Sequence, residues 1–97
     1  MYDIEFSDTA KQDLKWFKKH EQNLILDGIA ANLRHEPNVE TRNRKPLRPN
    51  PIAEWELRID KFRVLYNVEE TVKIVSIEAI GVKIGSDFVI RGEKRDL

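Results

Sequence analysis

Two arginines, Arg58 and Arg63, flank the pair Asp60-Lys61 between two runs of alternating apolar and polar residues. If those runs form neighbouring antiparallel strands, the two guanidinium groups come close to opposite one another. Such groups repel, so their pairing is most favourable with a phosphate between them. The alternative is a salt-bridge lattice, in which Glu54 or Glu56 neutralises the arginines without any ligand.

Other basic residues lie around this pair: Lys45 and Arg48 before it, Lys61 in the turn, and Lys83 further along the chain. Residues 42–63 carry seven Lys/Arg against three Asp/Glu, although the formal net charge of the whole chain is zero. A basic segment in an otherwise acidic chain favours a local anionic partner. An ordinary solvated loop is the alternative explanation of the charge alone.

The composition excludes several kinds of site. The chain has no cysteine, which excludes disulfides, thiolate metal ligands and cysteine nucleophiles. His20 and His35 lack metal-ligand spacing, and no glycine-rich phosphate loop or nucleophile elbow is present. We therefore expect no metal and no cofactor. No signal sequence or membrane span is visible, so a cytoplasmic protein without a membrane partner is predicted.

The strongest structural pattern is a hairpin that would position the two arginines. Trp55, Leu57 and Ile59 alternate with polar residues, and a second alternation from Phe62 to Val68 follows the two-residue turn. This period of two, interrupted by two polar residues, predicts two antiparallel strands with one apolar face.

The remaining elements follow from periodicity and breaks. A short strand over residues 2–6 precedes two helices, one to about Lys19 and one from beyond His20-Glu21 to about His35. Residues 38–53 are predicted to form an extended connector, residues 72–80 a central strand ended by Gly81, and residues 88–90 a short strand before a frayed tail. This order, β-α-α-β-β-β with one possible further strand, predicts one α+β domain over residues 1–97, with a helical hairpin packed on a small antiparallel sheet.

The hairpin also resembles a known family. Its sequence over 55–68, Trp-Glu-Leu-Arg-Ile-Asp-Lys-Phe-Arg-Val-Leu-Tyr-Asn-Val, is similar to the signature hairpin of the RelE/ParE superfamily of bacterial type II toxins. Lys-Pro-Leu-Arg at 45–48 and Ile-Gly-Val-Lys at 80–83 fall where that superfamily has related segments. The resemblance covers essentially the whole chain and implies a cytoplasmic toxin that a cognate antitoxin neutralises.

The superfamily implies two alternative activities. RelE-like members cleave mRNA in the ribosomal A site, whereas ParE-like members inhibit DNA gyrase by protein contact. The RelE-like activity, with the ribosome and mRNA as partners, is favoured here, and a ParE-like inhibitor or a relative without toxicity is the alternative. By resemblance, Arg63 and Arg58 bind the phosphate and Lys83 is a cation or proton donor. Three further basic residues would hold the RNA backbone: Lys45, Arg48 and Lys61.

The sequence departs from the RelE-like pattern where proton transfer is concerned. Glu56 stands where a second basic residue is common, Lys45 stands where some members have a glutamate base, and Phe88 occupies the region of a C-terminal aromatic hydroxyl. Glu56 is two residues from Arg58 on the same strand face, and that cation favours the charged carboxylate a base requires. Glu56 is therefore the candidate general base.

Overall fold

The computed structural model describes all 97 residues. It contains two helices and seven strands, in the order β1 (Asp3–Phe6), α1 (Asp8–Trp16), α2 (Lys19–Leu33), β2 (Arg44–Pro46), β3 (Trp55–Ile59), β4 (Phe62–Glu69), β5 (Ile74–Ile84), β6 (Asp87–Ile90) and β7 (Glu93–Arg95). Neither helix is long and apolar enough to cross a membrane.

All seven strands belong to one sheet. Strands β2 to β7 follow one another in chain order as antiparallel neighbours, and β1 pairs in parallel with the first half of β5. Helix α1 contacts β5 and β1, and α2 contacts β3, so both helices cover the same face. The predicted α+β fold, with a helical hairpin on an antiparallel sheet, is confirmed; β1 is the one parallel addition.

The period-two pattern of β4 separates two apolar layers. Phe62, Val64 and Tyr66 pack with the helices in the main core. Leu65, which points to the other face, packs in a second, smaller cluster. That cluster contains Ala53, Ala79, Phe88 and Ile90, with Leu47, Ile52 and Leu97 packed against it. The helix-free face is thus only partly apolar, and its remaining part carries the basic residues.

The β3–β4 hairpin has the predicted register. Ile59 pairs with Phe62, and Asp60-Lys61 forms the two-residue turn between them. Asp60 takes a left-handed φ of 53°, a conformation that aspartate tolerates better than most residues.

Strand β5 contains a bulge and also differs from its predicted bounds. Leu65 pairs with Ala79 and Tyr66 with Ile77, which leaves Glu78 without a partner on β4. The extra residue shifts the alternation, so Ile77 and Ile80 both pack in the main core. The strand begins at Ile74 and continues through Gly81 to Ile84, so the expected break at Gly81 is wrong.

Three other segments differ from the sequence prediction. Helix α1 ends at Trp16, and α2 already begins at Lys19, so His20 and Glu21 are helical. The connector before the hairpin contains β2, which pairs with β3. The tail was expected to fray, but it forms β7 on the edge of β6.

Candidate phosphate-binding site

Arg58 and Arg63 lie directly opposite one another on the helix-free face of the β3–β4 hairpin. The backbone N–H of Arg58 donates to Asn43 O at 2.8 Å, away from β4. The Arg58–Arg63 pair is therefore a non-hydrogen-bonded pair, the type in which facing side chains come closest. The two cations that the sequence places in the hairpin are held side by side.

Glu56 bridges the two arginines through one oxygen. Its Oε1 lies 3.0 Å from Arg58 Nε and 3.4 Å from Arg63 Nε, whereas Oε2 has no partner. The side chains of Glu56 and Arg63 are 14% and 16% exposed. Two guanidinium groups and one carboxylate leave the cluster with a net positive charge, and its carboxylate keeps one oxygen free.

The hairpin turn itself fixes the orientation of Arg63. Arg63 Nη1 donates to Asp60 O at 2.7 Å and to Phe62 O at 2.9 Å. With Nε directed to Glu56, only Nη2 is without a contact. Arg58 is anchored only through Nε and its side chain is 48% exposed, so both of its Nη groups are free. The cluster therefore offers guanidinium donors from two directions to an anion.

Lys83 lies diagonally beside Arg63 on β5. Arg63 pairs with Gly81, two residues before Lys83, and diagonal neighbours are separated by roughly 7–8 Å. The Lys83 side chain is exposed and has no charged partner, and the ring of its register partner Phe88 lies over Gly81. A Cβ on Gly81 would lie 2.8 Å from that ring, so glycine is what allows the ring to cover the strand there.

The three remaining basic candidates are placed differently. Lys45 is the register partner of Glu56, and its ammonium group pairs with Glu40 at 3.5 Å. Lys61 points to the helical side, 3.7 Å from Glu21. Arg48 lies in the loop after β2, beside a groove that contains Trp55, at the end of β3 away from the arginine pair. The structure therefore brings Lys45 to the cluster but leaves Lys61 and Arg48 apart from it.

Neither tyrosine can replace the missing C-terminal hydroxyl. Tyr66 is fully buried on the helical face, and its hydroxyl donates to Pro37 O at 2.7 Å. Burial raises the pKa of Tyr66 above its usual value. Tyr2 is also part of the main core. Neither tyrosine hydroxyl is therefore available at the arginine pair.

A partly buried ion pair that sequence analysis missed connects α1 to the end of β6. Asp13 is 0% exposed; its Oδ2 accepts from the backbone N–H of Ile80 at 3.1 Å, and its Oδ1 lies 2.9 Å from Arg91 Nε. Burial raises the pKa of Asp13, although the Ile80 bond and the Arg91 charge oppose this. The sequence contained one signal that Asp13 is buried, namely its spacing. Asp13 follows buried Ala10 by three residues, so it falls on the apolar stripe of α1.

Ile80 lies between the residues of β5 that pair with β1 and those that pair with β6. Its N–H has no strand partner on that side, and Asp13 supplies the missing acceptor. Elsewhere, no group of three or more His, Asp or Glu side chains is placed to hold a metal ion.

A family model supplies the decisive comparison. The model described as the ParE toxin of the type II toxin–antitoxin system parDE matches residues 4–81. The chain belongs to this ParE toxin family. That match includes most of β1, both helices, the β3–β4 hairpin with Glu56, Arg58 and Arg63, and most of β5. Membership of the RelE/ParE superfamily, which the sequence resemblance indicated, is confirmed, and the chain is a type II toxin.

Solved structures of other toxin–antitoxin complexes share the fold of this ParE-family chain. A chain of the RelBE2 complex from Mycobacterium tuberculosis is 25% identical, with a TM-score of 0.73 over 84% of this chain and 90% of that one. A chain of the archaeal RelE–RelB complex from Pyrococcus horikoshii OT3 is 18% identical, with a TM-score of 0.67 over 84% and 94%. No curated protein matches the sequence.

Proposed function

We propose that this toxin is a ribosome-dependent mRNA endoribonuclease that acts in the cytoplasm. The observation that carries the proposal is the cluster of Glu56, Arg58 and Arg63. Two facing guanidinium groups share one carboxylate oxygen and leave the other oxygen and the outer Nη groups free. That arrangement offers a proton acceptor and phosphate donors within one small area of the sheet.

The proposed reaction needs one proton removed and one delivered. Glu56 Oε2 accepts the proton of a ribose 2′-hydroxyl, whose oxygen attacks the adjacent phosphorus. The bond from phosphorus to the 5′-oxygen breaks, leaving a cyclic phosphate on one fragment, and Lys83 donates a proton to the departing oxygen. Arg58 and Arg63 stabilise the charge that develops on the phosphorane oxygens. Lys45, opposite Glu56, contacts the neighbouring backbone.

An antitoxin is the expected protein partner. Both similar structures are complexes of a toxin with its antitoxin, which supports the same kind of partner for this chain. A cognate antitoxin that covers the arginine cluster would prevent contact with RNA.

A second candidate is gyrase inhibition by protein contact, the activity of the ParE-like branch. The family match favours it, and so does the fact that Glu56 already neutralises part of the charge of both arginines. In that case the cluster would be a docking surface rather than a catalytic centre.

Replacement of Glu56 in a translation extract tests the nuclease proposal. Purified toxin is added to ribosomes translating an end-labelled mRNA, and the fragments are mapped. We expect Glu56→Gln to lower cleavage by about 10²-fold or more, because the base is lost while its size is kept. Glu54→Gln is the matched control, since Glu54 makes no contact with either arginine, and it should cleave normally. Full cleavage by Glu56→Gln would remove Glu56 from the mechanism.

A further inference from the structure

A second cationic surface lies away from the arginine cluster. It is a groove of about 580 Å³ between the end of α1 and the β6–β7 hairpin. Lys15 and Trp16 line it from α1, and Arg91, Glu93 and Arg95 line it from the C-terminal segment. Nothing in the proposed reaction uses these residues.

Trp16 is the aromatic side chain that the fold buries least. It is 61% exposed at the last residue of α1, and its ring lies above Gly92. A Cβ at Gly92 would be 3.6 Å from Trp16 Cζ2, so the backbone at Gly92 lies close to the ring without crowding it. An exposed indole held in this way is a platform on which a flat ring can stack.

The cations around this ring are only weakly neutralised. Lys15 has no ion-pair partner, and Arg95 Nη2 is 3.6 Å from Glu93, whose side chain is 77% exposed. Arg91 is already engaged with Asp13 and donates to Gln12. Lys15 and Arg95 are therefore the two cations free to bind an anion beside Trp16.

The sheet register connects this groove with the arginine cluster. Phe88 on β6 pairs with Lys83 on one side and with Arg95 on the other. Lys83 and Arg95 are thus two strand spacings apart, roughly 10 Å. Arg58, Arg63 and Lys83 form a row of basic residues on the helix-free face, and Arg95, whose side chain lines the groove beside α1, lies next to this row on the edge strand β7.

We propose that this groove binds a single-stranded RNA segment, with a base stacked on Trp16 and phosphates on Lys15 and Arg95. An exposed aromatic ring beside cations that are unpaired, as Lys15 is, or only weakly paired, as Arg95 is, is the combination that single-stranded nucleic acids require. The inference rests on the proposed function, since the bound strand would be the continuation of the RNA held at Arg58 and Arg63. The groove then fixes the position of the RNA along the toxin.

Trp16 fluorescence tests the proposal directly. The chain has two tryptophans, so Trp55→Phe makes Trp16 the single indole reporter. Titration with a twelve-residue oligouridylate at low salt should quench the emission and saturate. Lys15→Ala and Arg95→Ala should each weaken binding by about fivefold or more, and each should reduce the slope of log affinity against log salt by about 0.7.

The neighbouring lysine on β7 provides the matched control. Lys94 does not line the groove and pairs with Asp87 at 3.3 Å, so Lys94→Ala removes the same charge without touching Trp16. It should change the affinity by less than about twofold. Equal losses in Arg95→Ala and Lys94→Ala would overturn the proposal, as would unquenched Trp16 emission. Quenching by a glutamate peptide of equal charge, but not by RNA, would make the groove a protein-docking surface instead.

The two proposals fail separately. If the oligouridylate quenches Trp16 but translated mRNA is never cut, the groove binds RNA and the nuclease proposal is wrong. If mRNA is cut at Glu56-dependent positions while Trp16 emission does not respond to RNA, the nuclease proposal stands and the groove inference is wrong.

Discussion

At the scale of single residues, Arg63 shows how a small hairpin holds a cation ready for a ligand. Three contacts, to Glu56 and to two carbonyls of its own turn, use Nε and Nη1 and leave Nη2 unoccupied. Because the side chain is ordered before any ligand arrives, binding an anion there costs little further conformational entropy. Arg58, with a single anchor, can still move toward an anion.

Asp13 provides the stability prediction at this scale. Asp13→Ala should lower the free energy of unfolding at pH 7 by about 1–3 kcal/mol, because the buried N–H of Ile80 loses its acceptor. Asp13→Asn retains an acceptor oxygen and should cost less than Asp13→Ala. Urea unfolding of both variants measures the difference, and equal losses would show that the Ile80 bond contributes nothing.

The pH dependence of the same pair has a definite sign. Burial raises the pKa of folded Asp13 above its usual value of 3.8, so the folded chain holds that proton more tightly than the unfolded chain does. Relative to Asp13→Asn, the wild-type chain should therefore gain stability as the pH falls through the raised pKa toward 3.8. Below 3.8 the difference should become constant. A stability difference that decreases on acidification would contradict the raised pKa.

At the scale of elements, β5 connects the parts of the molecule. It pairs with β4, β1 and β6, and its bulge at Glu78 lets residues on both sides of the bulge contribute to the main core. After the bulge, Gly81 lies opposite Arg63 and beneath Phe88. The strand thus positions the arginine cluster and the C-terminal hairpin together.

Two glycines allow a matched test of this packing. A Cβ at Gly81 would lie 2.5 Å from Val89 O, and one at Gly28 would lie 2.5 Å from Ile59 Cδ1. At Gly81 the Cβ would meet a backbone oxygen that the sheet holds in place. At Gly28 it would meet only the end of a side chain. Gly81→Ala should therefore lower the free energy of unfolding by about 1–3 kcal/mol.

Gly28→Ala should have a smaller effect, because alanine gains up to about 1 kcal/mol over glycine inside a helix and offsets the movement of Ile59. Both values come from urea unfolding with an unchanged m-value. A larger loss in Gly28→Ala than in Gly81→Ala would show that the β5–β6 backbone yields more easily than Ile59.

At the scale of the whole molecule, charge is divided between surfaces although the formal net charge is zero. The helix-free face carries the arginine cluster and Lys83, whereas Lys15 and Arg95 line the groove between α1 and β7. Under either proposed function, the target is one that this basic face can approach. Whether that target is mRNA or DNA gyrase is decided by whether protein synthesis or DNA synthesis stops first in a cell.

Induced expression of this chain alone makes that comparison. Methionine and thymidine incorporation are followed together in bacteria, with Arg63→Ala as the matched control. Under the nuclease proposal methionine incorporation falls first. Arg63→Ala restores it, because losing a preorganised phosphate donor costs about 10²–10³ in cleavage rate. An earlier fall in thymidine incorporation would support gyrase inhibition instead.

The sequence by itself determined the β3–β4 hairpin and its facing arginines, whereas it left Glu54 and Glu56 as alternatives for the carboxylate beside them. Alternation over residues 55–68 predicted the β3–β4 hairpin, and its two-residue turn fixed the register that places Arg58 opposite Arg63. These features depend on neighbours within a few residues along the chain, so their pattern is visible without the fold.

Only the tertiary structure decided how distant segments complete one another. Strands β2 and β7 are three-residue elements with no pattern of their own, and they form because β3 and β6 offer edges for pairing. Lys61 is adjacent to the arginines in sequence, yet it points to Glu21 on α2. Asp13 meets Ile80 across 67 residues, and Trp16 meets Gly92 across a similar distance. Such contacts arise from the packing of elements, because a local sequence pattern carries no information about which far segment will lie beside it.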